Sequence, residues 1–303
     1  EPLGGSFGSG GYCRQMGDHY IPRYYLKGFG PPGQPNVITR VEKYTTSTLT
    51  TDVKNVAQEN DFYSEEIEIY LSTEIERPAN DVLAKLRQLV LPGVAEKVSL
   101  ARYLTALLKR VPRAKERYDE MSPEILERVF SDLERQIDEI AAERPEKSDL
   151  MRARREQLAQ LRVQYETGMP KEMLRDIWLN NLRAERSMAT EERLTAMTWT
   201  YLMAREGAEF ITCDNPVFFH TAIGIGNMRS EVTFPISSQL ALWATWSKTL
   251  PENFVRVRKS VVKLVNRRTA SCATRYLFSS GTYDWVVSLA QTSSNYRHKS
   301  IIL

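Results

Sequence analysis

The chain has 303 residues and a hydrophobic content of 42%, which is sufficient for a conventional buried core. Its longest apolar run, residues 240–246, is far shorter than the roughly 18 residues that a membrane-spanning helix requires, so no such helix is expected. The three cysteines, Cys13, Cys213 and Cys272, form no Cys/His cluster of the kind that binds zinc. This cysteine usage predicts a location in the reducing cytoplasm.

The net charge is only +3, but the basic residues are unevenly distributed. Residues 251–303 contain nine basic and two acidic side chains and carry +7, which leaves −4 for the rest of the chain. Such a basic region could contact nucleic acid or a nucleotide. The alternative is a basic helix whose charged side chains face water.

The N-terminal part of the chain predicts a leader, a strand or hairpin and then a helix. Residues 1–17 are rich in Gly and Ser and predict a flexible leader, which leaves residues 18–303 as a single domain. The Val, Ile, Thr and Tyr content of residues 37–50 predicts a strand or hairpin. From residue 72 the apolar side chains recur at helical spacing, and this helix ends before Pro92 and Gly93.

The middle of the chain predicts helices only. One covers residues 99–118 and is interrupted at Pro112, the next begins at Pro123 and runs to residue 140, and another covers residues 150–165. The last two are charged and joined by a short turn, so we expect an antiparallel helical hairpin, inserted at about residues 119–168. This hairpin would offer a surface for a protein partner.

The remaining elements alternate between helix and strand. Further helices are predicted over residues 169–186, 191–205 and 261–273. Short strands are predicted at residues 209–212, 232–235, 239–245, 276–278 and 285–287. The predicted fold class is therefore α+β, a mostly helical single domain with a small sheet from both chain ends and a helical-hairpin insertion.

His19 is a candidate functional residue because it lies in an aromatic segment and the chain contains only three histidines. An imidazole can act as a base, an acid or a metal ligand near neutral pH. The structural alternative is a packed, hydrogen-bonded side chain that supports the neighbouring tyrosines.

Asp214 is a second candidate because it follows a predicted strand and precedes Asn215 and Pro216. A rigid strand end can present a carboxylate to a cleft, where it acts as a base or binds a metal ion. We expect a divalent metal held by Asp214 and Glu74 as the cofactor, because a bound metal activates water and stabilises phosphoryl charge. The alternative is a turn in which Asp214 or Asn215 hydrogen-bonds to the backbone.

Several polar side chains could position an anionic substrate. Guanidinium groups flank the helix break at Pro112 and can bind phosphate or carboxylate through two parallel hydrogen bonds. The predicted substrate-binding residues are Tyr24, Arg110, Arg113, Asn215, Asn266 and Arg267. The alternative is that the charged residues among them are ordinary surface or ion-pair groups.

Several common catalytic motifs are absent from the sequence. It contains no GxxxxGK[ST] phosphate loop, no GxGxxG after a strand, no GxSxG nucleophile elbow and no HExxH or HxExxPCxxC zinc motif. These absences disfavour the common nucleotide-dependent enzymes, serine hydrolases and zinc enzymes.

Three segments carry a resemblance to a known family. Residues 17–26 read Gly-Asp-His-Tyr-Ile-Pro-Arg-Tyr-Tyr-Leu, similar to a pattern Asn-x-His-Tyr-Ile-Pro-x-x-Tyr-Leu, although that Asn has no counterpart before His19. Residues 210–217 and 234–237 are similar to Phe-Ile-Thr-Ser-Asp-Asn-Pro and Phe-Pro-Leu-Ser elements. The chain thus resembles the bacterial family called domain of unknown function forty-two thirty-eight (DUF4238). That family has no assigned reaction, and the likeness of some members to proteins of anti-phage defence loci implies a defence role.

Two functions are compatible with these features. The first is an anti-phage defence hydrolase in which His19 and Asp214 converge on one cleft and cleave a phosphodiester in nucleic acid or a nucleotide. The second is a non-catalytic module that binds or senses nucleic acid or a nucleotide through the basic C-terminal region.

Overall fold

The computed structural model describes residues 17–166, 171–183, 188–292 and 299–302, so the predicted leader lies outside the described residues apart from Gly17. The protein is a mixed α/β domain with 51% helix and 18% strand, and its described strands form three sheets of two, four and five strands. The prediction of a mostly helical domain with one small sheet is therefore wrong. The reason is that the second half of the chain builds a five-stranded sheet of its own.

This five-stranded sheet lies between residues 198 and 256 and has the order β10-β5-β9-β8-β7. Its strands are β5 (Thr198–Met203), β7 (Phe218–Phe219), β8 (Glu231–Ser237), β9 (Leu240–Thr245) and β10 (Phe254–Arg256). Strand β10 pairs with β5 in parallel, and the other pairs are antiparallel. Strand β5 replaces the end of the helix predicted over residues 191–205, since its β-branched and aromatic residues suit a buried strand.

The four-stranded sheet joins the two ends of the described chain in the order β3-β2-β11-β6. Its strands are β2 (Val37–Glu42), β3 (Thr48–Asp52), β6 (Thr212–Cys213) and β11 (Tyr276–Ser279). Strand β11 is central and pairs antiparallel with both β2 and β6. A separate two-stranded pair consists of β1 (Asp18–His19) and β4 (Gln58–Glu59).

A series of helices follows β4. These helices are α2 (Glu65–Tyr70), a π-helix (Leu71–Glu76), α3 (Arg77–Arg87) and α4 (Val94–Arg110). The short helix α1 (Arg23–Leu26) precedes β2. Helix α2 begins at Ser64, whose hydroxyl accepts a hydrogen bond from the Ile67 amide. Helix α4 ends before Pro112, which lacks the amide hydrogen that would continue it.

Helices α5 (Pro112–Glu143) and α6 (Ser148–Glu166) lie side by side. Arg155 of α6 pairs with Asp138 of α5 at 2.9 Å, and Arg162, further along α6, pairs with Glu134, which comes earlier in α5, at 3.0 Å. The two helices therefore run antiparallel. Helix α5 starts at Pro112 and continues through residue 123, where the sequence predicted a new helix.

The other helices are α7 (Lys171–Arg183), α8 (Met188–Ala196), α9 (Lys259–Cys272) and α10 (Asp284–Thr292). Helix α10 occupies the residues predicted as a strand at 285–287. None of the described helices is long and apolar enough to span a bilayer.

The N-terminal aromatic segment lies in the main core and ties the sheets together. The Tyr25 ring stacks on Phe234 of β8 with 5.0 Å between the ring centroids. The Tyr25 hydroxyl lies 2.6 Å from the Thr212 hydroxyl in β6 and donates to the Pro235 carbonyl at 2.9 Å. Because these contacts reach both larger sheets, the segment that carries His19 is held in a fixed position.

Candidate functional site

His19 is half-buried, and its imidazole Nε2 lies 3.2 Å from the Lys54 carbonyl oxygen. A carbonyl only accepts hydrogen bonds, so Nε2 carries the proton and Nδ1 keeps its lone pair in the neutral ring. Burial, helped by the nearby Arg23 guanidinium, lowers the pKa of His19 from its usual value of 6.5. The ring is therefore neutral at physiological pH and has the fixed tautomer that a general base requires.

A cleft of about 470 Å³ lies next to His19: His19 does not line it, but its hydrogen-bond partner Lys54 and the neighbouring Arg23 do. We call it the His19 cleft. Its charged lining residues are Arg23, Lys27, Asp52, Lys54 and Glu76. The predicted substrate-binding residue Tyr24 also lines it, with the Arg87 guanidinium 5.2 Å from its ring centroid. The three cations outnumber the two carboxylates, so the lining carries a net positive charge that suits an anion.

Arg110 lies behind this cleft and is only 1% exposed. Its guanidinium donates to the Glu76 carboxylate at 2.6 Å, to the His19 carbonyl at 2.5 Å and to the Tyr63 hydroxyl at 3.3 Å. The Tyr63 hydroxyl in turn donates to the Arg110 carbonyl at 2.8 Å. A buried cation is stable only with such partners, and here they fix both Glu76 and the backbone of β1.

Glu68 and Glu76 belong to the same region, although neither was among the predicted site residues. Burial raises the pKa of the Glu68 carboxyl, and its Oε2 atom is buried with no hydrogen-bond partner among the described residues. The charges of Arg110 and Glu76 also act on it. The two glutamates are eight residues apart, a common spacing in helices, so the sequence carried no signal that distinguished them.

Asp214 is 3% exposed and follows β6. One carboxylate oxygen accepts from the Thr274 amide at 2.8 Å, and the other accepts from the Arg275 and Tyr276 amides at 2.6 and 3.0 Å. Burial raises the pKa of Asp214 to about 6, although these three donors oppose the rise. The carboxylate thus fixes the turn that leads into β11, and no hydrogen bond or ion pair joins it to His19.

The structure does not bring the two predicted metal ligands together. Glu74 is exposed on the π-helix, whereas Asp214 is buried and surrounded by backbone amides. Among the described residues, no group of three or more His, Cys, Asp or Glu side chains is placed to hold a metal ion.

The other predicted substrate-binding residues lie in three places. Arg113 is in the first turn of α5 and pairs with Glu116 at 3.2 Å. Asn215 is buried, and its side-chain amide donates to the Cys272 carbonyl at 3.2 Å. Asn266 and Arg267 lie together on α9, the first buried and the second exposed.

A second cleft, of about 670 Å³, lies along α9, and we call it the α9 cleft. Its polar and aromatic lining residues are Glu209, Gln239, Lys259, Lys263, Asn266, Tyr283 and Trp285. A shallower pocket of about 260 Å³ shares several of these residues and adds Arg267. Asn266 fixes the adjoining strand end, because its side chain donates to the Glu209 carbonyl at 2.9 Å and accepts from the Ile211 amide at 3.1 Å.

The two clefts differ in how the comparisons with known proteins cover them. A family model described as "Protein of unknown function (DUF4238)" matches residues 18–282, which confirms the family indicated by the sequence motifs. The match contains the whole lining of the His19 cleft, whereas Tyr283 and Trp285 of the α9 cleft lie just beyond it. Comparison with curated proteins and with solved structures gave no significant match.

Proposed function

The chain belongs to DUF4238, a family of proteins of unknown function, and from its His19 cleft we propose a bacterial hydrolase that cleaves phosphodiester bonds in nucleic acid or a nucleotide. The likeness of some family members to proteins of anti-phage defence loci supports a role in anti-phage defence, in the cytoplasm. One observation carries the proposal: a neutral imidazole of fixed tautomer adjoins a cleft lined by three cations.

In the proposed reaction the cations Arg23, Lys27 and Lys54 bind the phosphodiester. Their charges stabilise the negative charge on the phosphoryl oxygens in the transition state. His19 Nδ1 accepts a proton from the attacking water as the new P–O bond forms. Solvent water in the cleft donates a proton to the leaving oxygen as the old P–O bond breaks.

The first prediction concerns His19. His19→Ala should lower kcat for phosphodiester hydrolysis by about 100- to 10,000-fold, the usual contribution of a general base. In the unaltered protein kcat/KM should rise with pH through a pKa below 6.5, because only the neutral ring accepts a proton, and this rise should disappear in the variant. Initial rates on bis-p-nitrophenyl phosphate and on short oligonucleotides between pH values of about 4.5 and 9 measure both effects.

His220→Ala provides the matched control, since His220 is the other histidine that the structure describes and follows β7 of the five-stranded sheet, in a different element from His19. It should retain both the rate and the pH profile. A folded His19→Ala protein with an unchanged rate and an unchanged profile would contradict the proposal.

A specific observation favours a second candidate function, the binding of nucleic acid along α9. Lys259, Lys263 and Arg267 are exposed and recur every four residues, so they follow one another about 6 Å apart along the helix. None of the three forms a salt bridge with an acidic side chain in the described part of the chain. The Tyr283 and Trp285 rings stack on each other with 6.0 Å between their centroids, and both line the α9 cleft together with Lys259 and Lys263. Aromatic rings next to cations suit single-stranded nucleic acid.

The second prediction tests this surface. Replacing Lys259, Lys263 and Arg267 together by Ala should weaken single-stranded oligonucleotide binding. It should also reduce the slope of log K against log salt by about 2, since each phosphate contact contributes about 0.7. Fluorescence anisotropy with a labelled oligonucleotide at several salt concentrations measures both quantities.

A triple replacement on the α5–α6 hairpin, at Arg128, Arg144 and Lys147, removes the same charge elsewhere and serves as the control. It should leave the slope unchanged. If both triple variants lose affinity equally, the net charge of the chain governs binding, and the α9 surface has no special role.

The surface of the α5–α6 hairpin favours the proposed binding of a protein partner. Several of its apolar side chains are exposed, namely Leu133, Ile140, Leu150 and Leu161. An exposed apolar surface among charged residues is typical of a site for another protein.

A further inference from the structure

The α9 cleft contains a carboxylate that neither proposed function uses. Glu209 accepts a hydrogen bond from the Ser280 hydroxyl through Oε2 at 2.7 Å, and the Ser280 hydroxyl lies 3.0 Å from the Tyr283 hydroxyl. The other oxygen, Oε1, is buried and has no hydrogen-bond partner among the described residues. An unsatisfied buried acceptor costs free energy and calls for an explanation, and a ligand N–H group would satisfy it once the Glu209 carboxylate turns towards the cleft that it lines.

The aromatic side of the cleft suits a flat ligand. Trp285 is 42% exposed although it is a large aromatic residue, and its ring is held against Tyr283 at an interplanar angle of 17°. Stacking between a nucleobase and an aromatic side chain contributes about 1–3 kcal/mol in single-strand-binding proteins. The Trp285 ring is therefore a prepared surface on which a planar ring can stack.

The cationic side of the same cleft suits an anion. Lys259 and Lys263 line it, both are exposed, and neither has an acidic partner in the described part of the chain. Lys259 is the first residue of α9, so the free backbone amides of that helix end add to the positive potential. The volume of about 670 Å³ lies within the range of small-molecule sites.

We propose that the α9 cleft binds a nucleotide whose base carries an exocyclic amino group. The amino group donates to Glu209 Oε1, the base stacks on Trp285, and the phosphate lies near Lys259 and Lys263. Lys259 and Lys263 also belong to the proposed nucleic-acid surface on α9, and the nucleotide is a more specific ligand for that surface. Its binding does not depend on the chemistry at His19.

The base preference follows from the hydrogen-bonding groups. Glu209 Oε1 is an acceptor, so a base that presents an amino group makes a hydrogen bond there. A base with a carbonyl in the same place sets acceptor against acceptor and leaves both unsatisfied. Cytosine and uracil differ at this group and in the hydrogen on the adjoining ring nitrogen, as do adenine and hypoxanthine, and they provide two matched pairs of ligands.

The test measures binding of these ligands to the full chain by isothermal titration calorimetry, with Trp285 fluorescence as a second readout. Cytidine monophosphate should bind about tenfold more tightly than uridine monophosphate, and adenosine monophosphate about tenfold more tightly than inosine monophosphate. Glu209→Gln should bring each pair within about twofold, because the Gln amide can turn either its oxygen or its nitrogen towards the base. Glu206→Gln, a nearby exposed glutamate outside the cleft, should keep the preference.

Lys259→Ala tests the phosphate contact separately. It should weaken binding of cytidine monophosphate and leave the affinity for cytidine, which has no phosphate, unchanged. Equal affinities within each nucleotide pair in the unaltered protein would overturn the inference, and this measurement needs no folded variant. Binding of oligonucleotides without binding of mononucleotides would overturn it too, while the α9 nucleic-acid surface would stand.

Discussion

Asp214→Ala is expected to lower the free energy of unfolding by about 3–5 kcal/mol, because three amide N–H groups lose their buried acceptor together. The amides belong to Thr274, Arg275 and Tyr276, which precede or begin the central strand of the four-stranded sheet. Asp214→Asn should cost less, since one oxygen remains and only one carboxylate oxygen is replaced by a donor. Urea denaturation followed by circular dichroism measures both changes.

Asp81→Ala is the control for this experiment, because Asp81 is exposed on α3 and its removal should stay within about 0.5 kcal/mol of the unaltered protein. The experiment also separates the two roles considered for Asp214. If Asp214→Ala unfolds at the same urea concentration as the unaltered protein yet has lost phosphodiester hydrolysis, Asp214 acts in catalysis and the structural account is wrong.

Arg110→Met is expected to have an effect of similar size, about 3–5 kcal/mol, because it leaves the partners of a buried cation behind. The Glu76 carboxylate, the His19 carbonyl and the Tyr63 hydroxyl would each lose a hydrogen bond. Arg110→Lys keeps the charge but cannot reach three separate partners with one compact ammonium group, so its loss should be smaller and still measurable. Denaturant unfolding at constant pH provides the comparison.

Arg113→Met is the matched control on the far side of Pro112. Its guanidinium pairs with Glu116 near the surface, so the expected cost is at most about 1 kcal/mol. An Arg110→Met protein of unaltered stability with a raised KM for phosphodiester hydrolysis would show instead that Arg110 contacts the substrate.

Only part of the candidate site could be predicted from the sequence. The chemistry of His19 could be suspected from its rarity and its aromatic surroundings, but the fixed tautomer depends on the carbonyl of Lys54, 35 residues away. The three donors to Asp214 are at least 60 residues away in the chain. They are backbone amides, so the residue types at these positions do not reveal them. Glu68 was missed because its burial arises from tertiary packing, and its helix has no unusual local composition.

The fold, like the site, could be predicted from the sequence only in part. Helices with one apolar face, such as α4 and α5, are marked by a clear period, and the sequence indicates them. Strand β5 has five buried residues in succession, so it lacks the alternation that identifies a half-exposed strand and could be taken for the end of a helix. Strand β7 has only two residues, too few for any pattern. The five-stranded sheet was missed for these reasons.

The pairing of β2 with β11 has a consequence for biosynthesis. Strand β11 is about 230 residues downstream of β2, so at ordinary elongation rates the ribosome needs roughly 10–50 seconds to supply it. During that interval one edge of the β2–β3 hairpin has no neighbour, and an open strand edge readily associates with other nascent chains. The open edge of this hairpin therefore stays exposed to such association until the C-terminal portion of the chain has been synthesised.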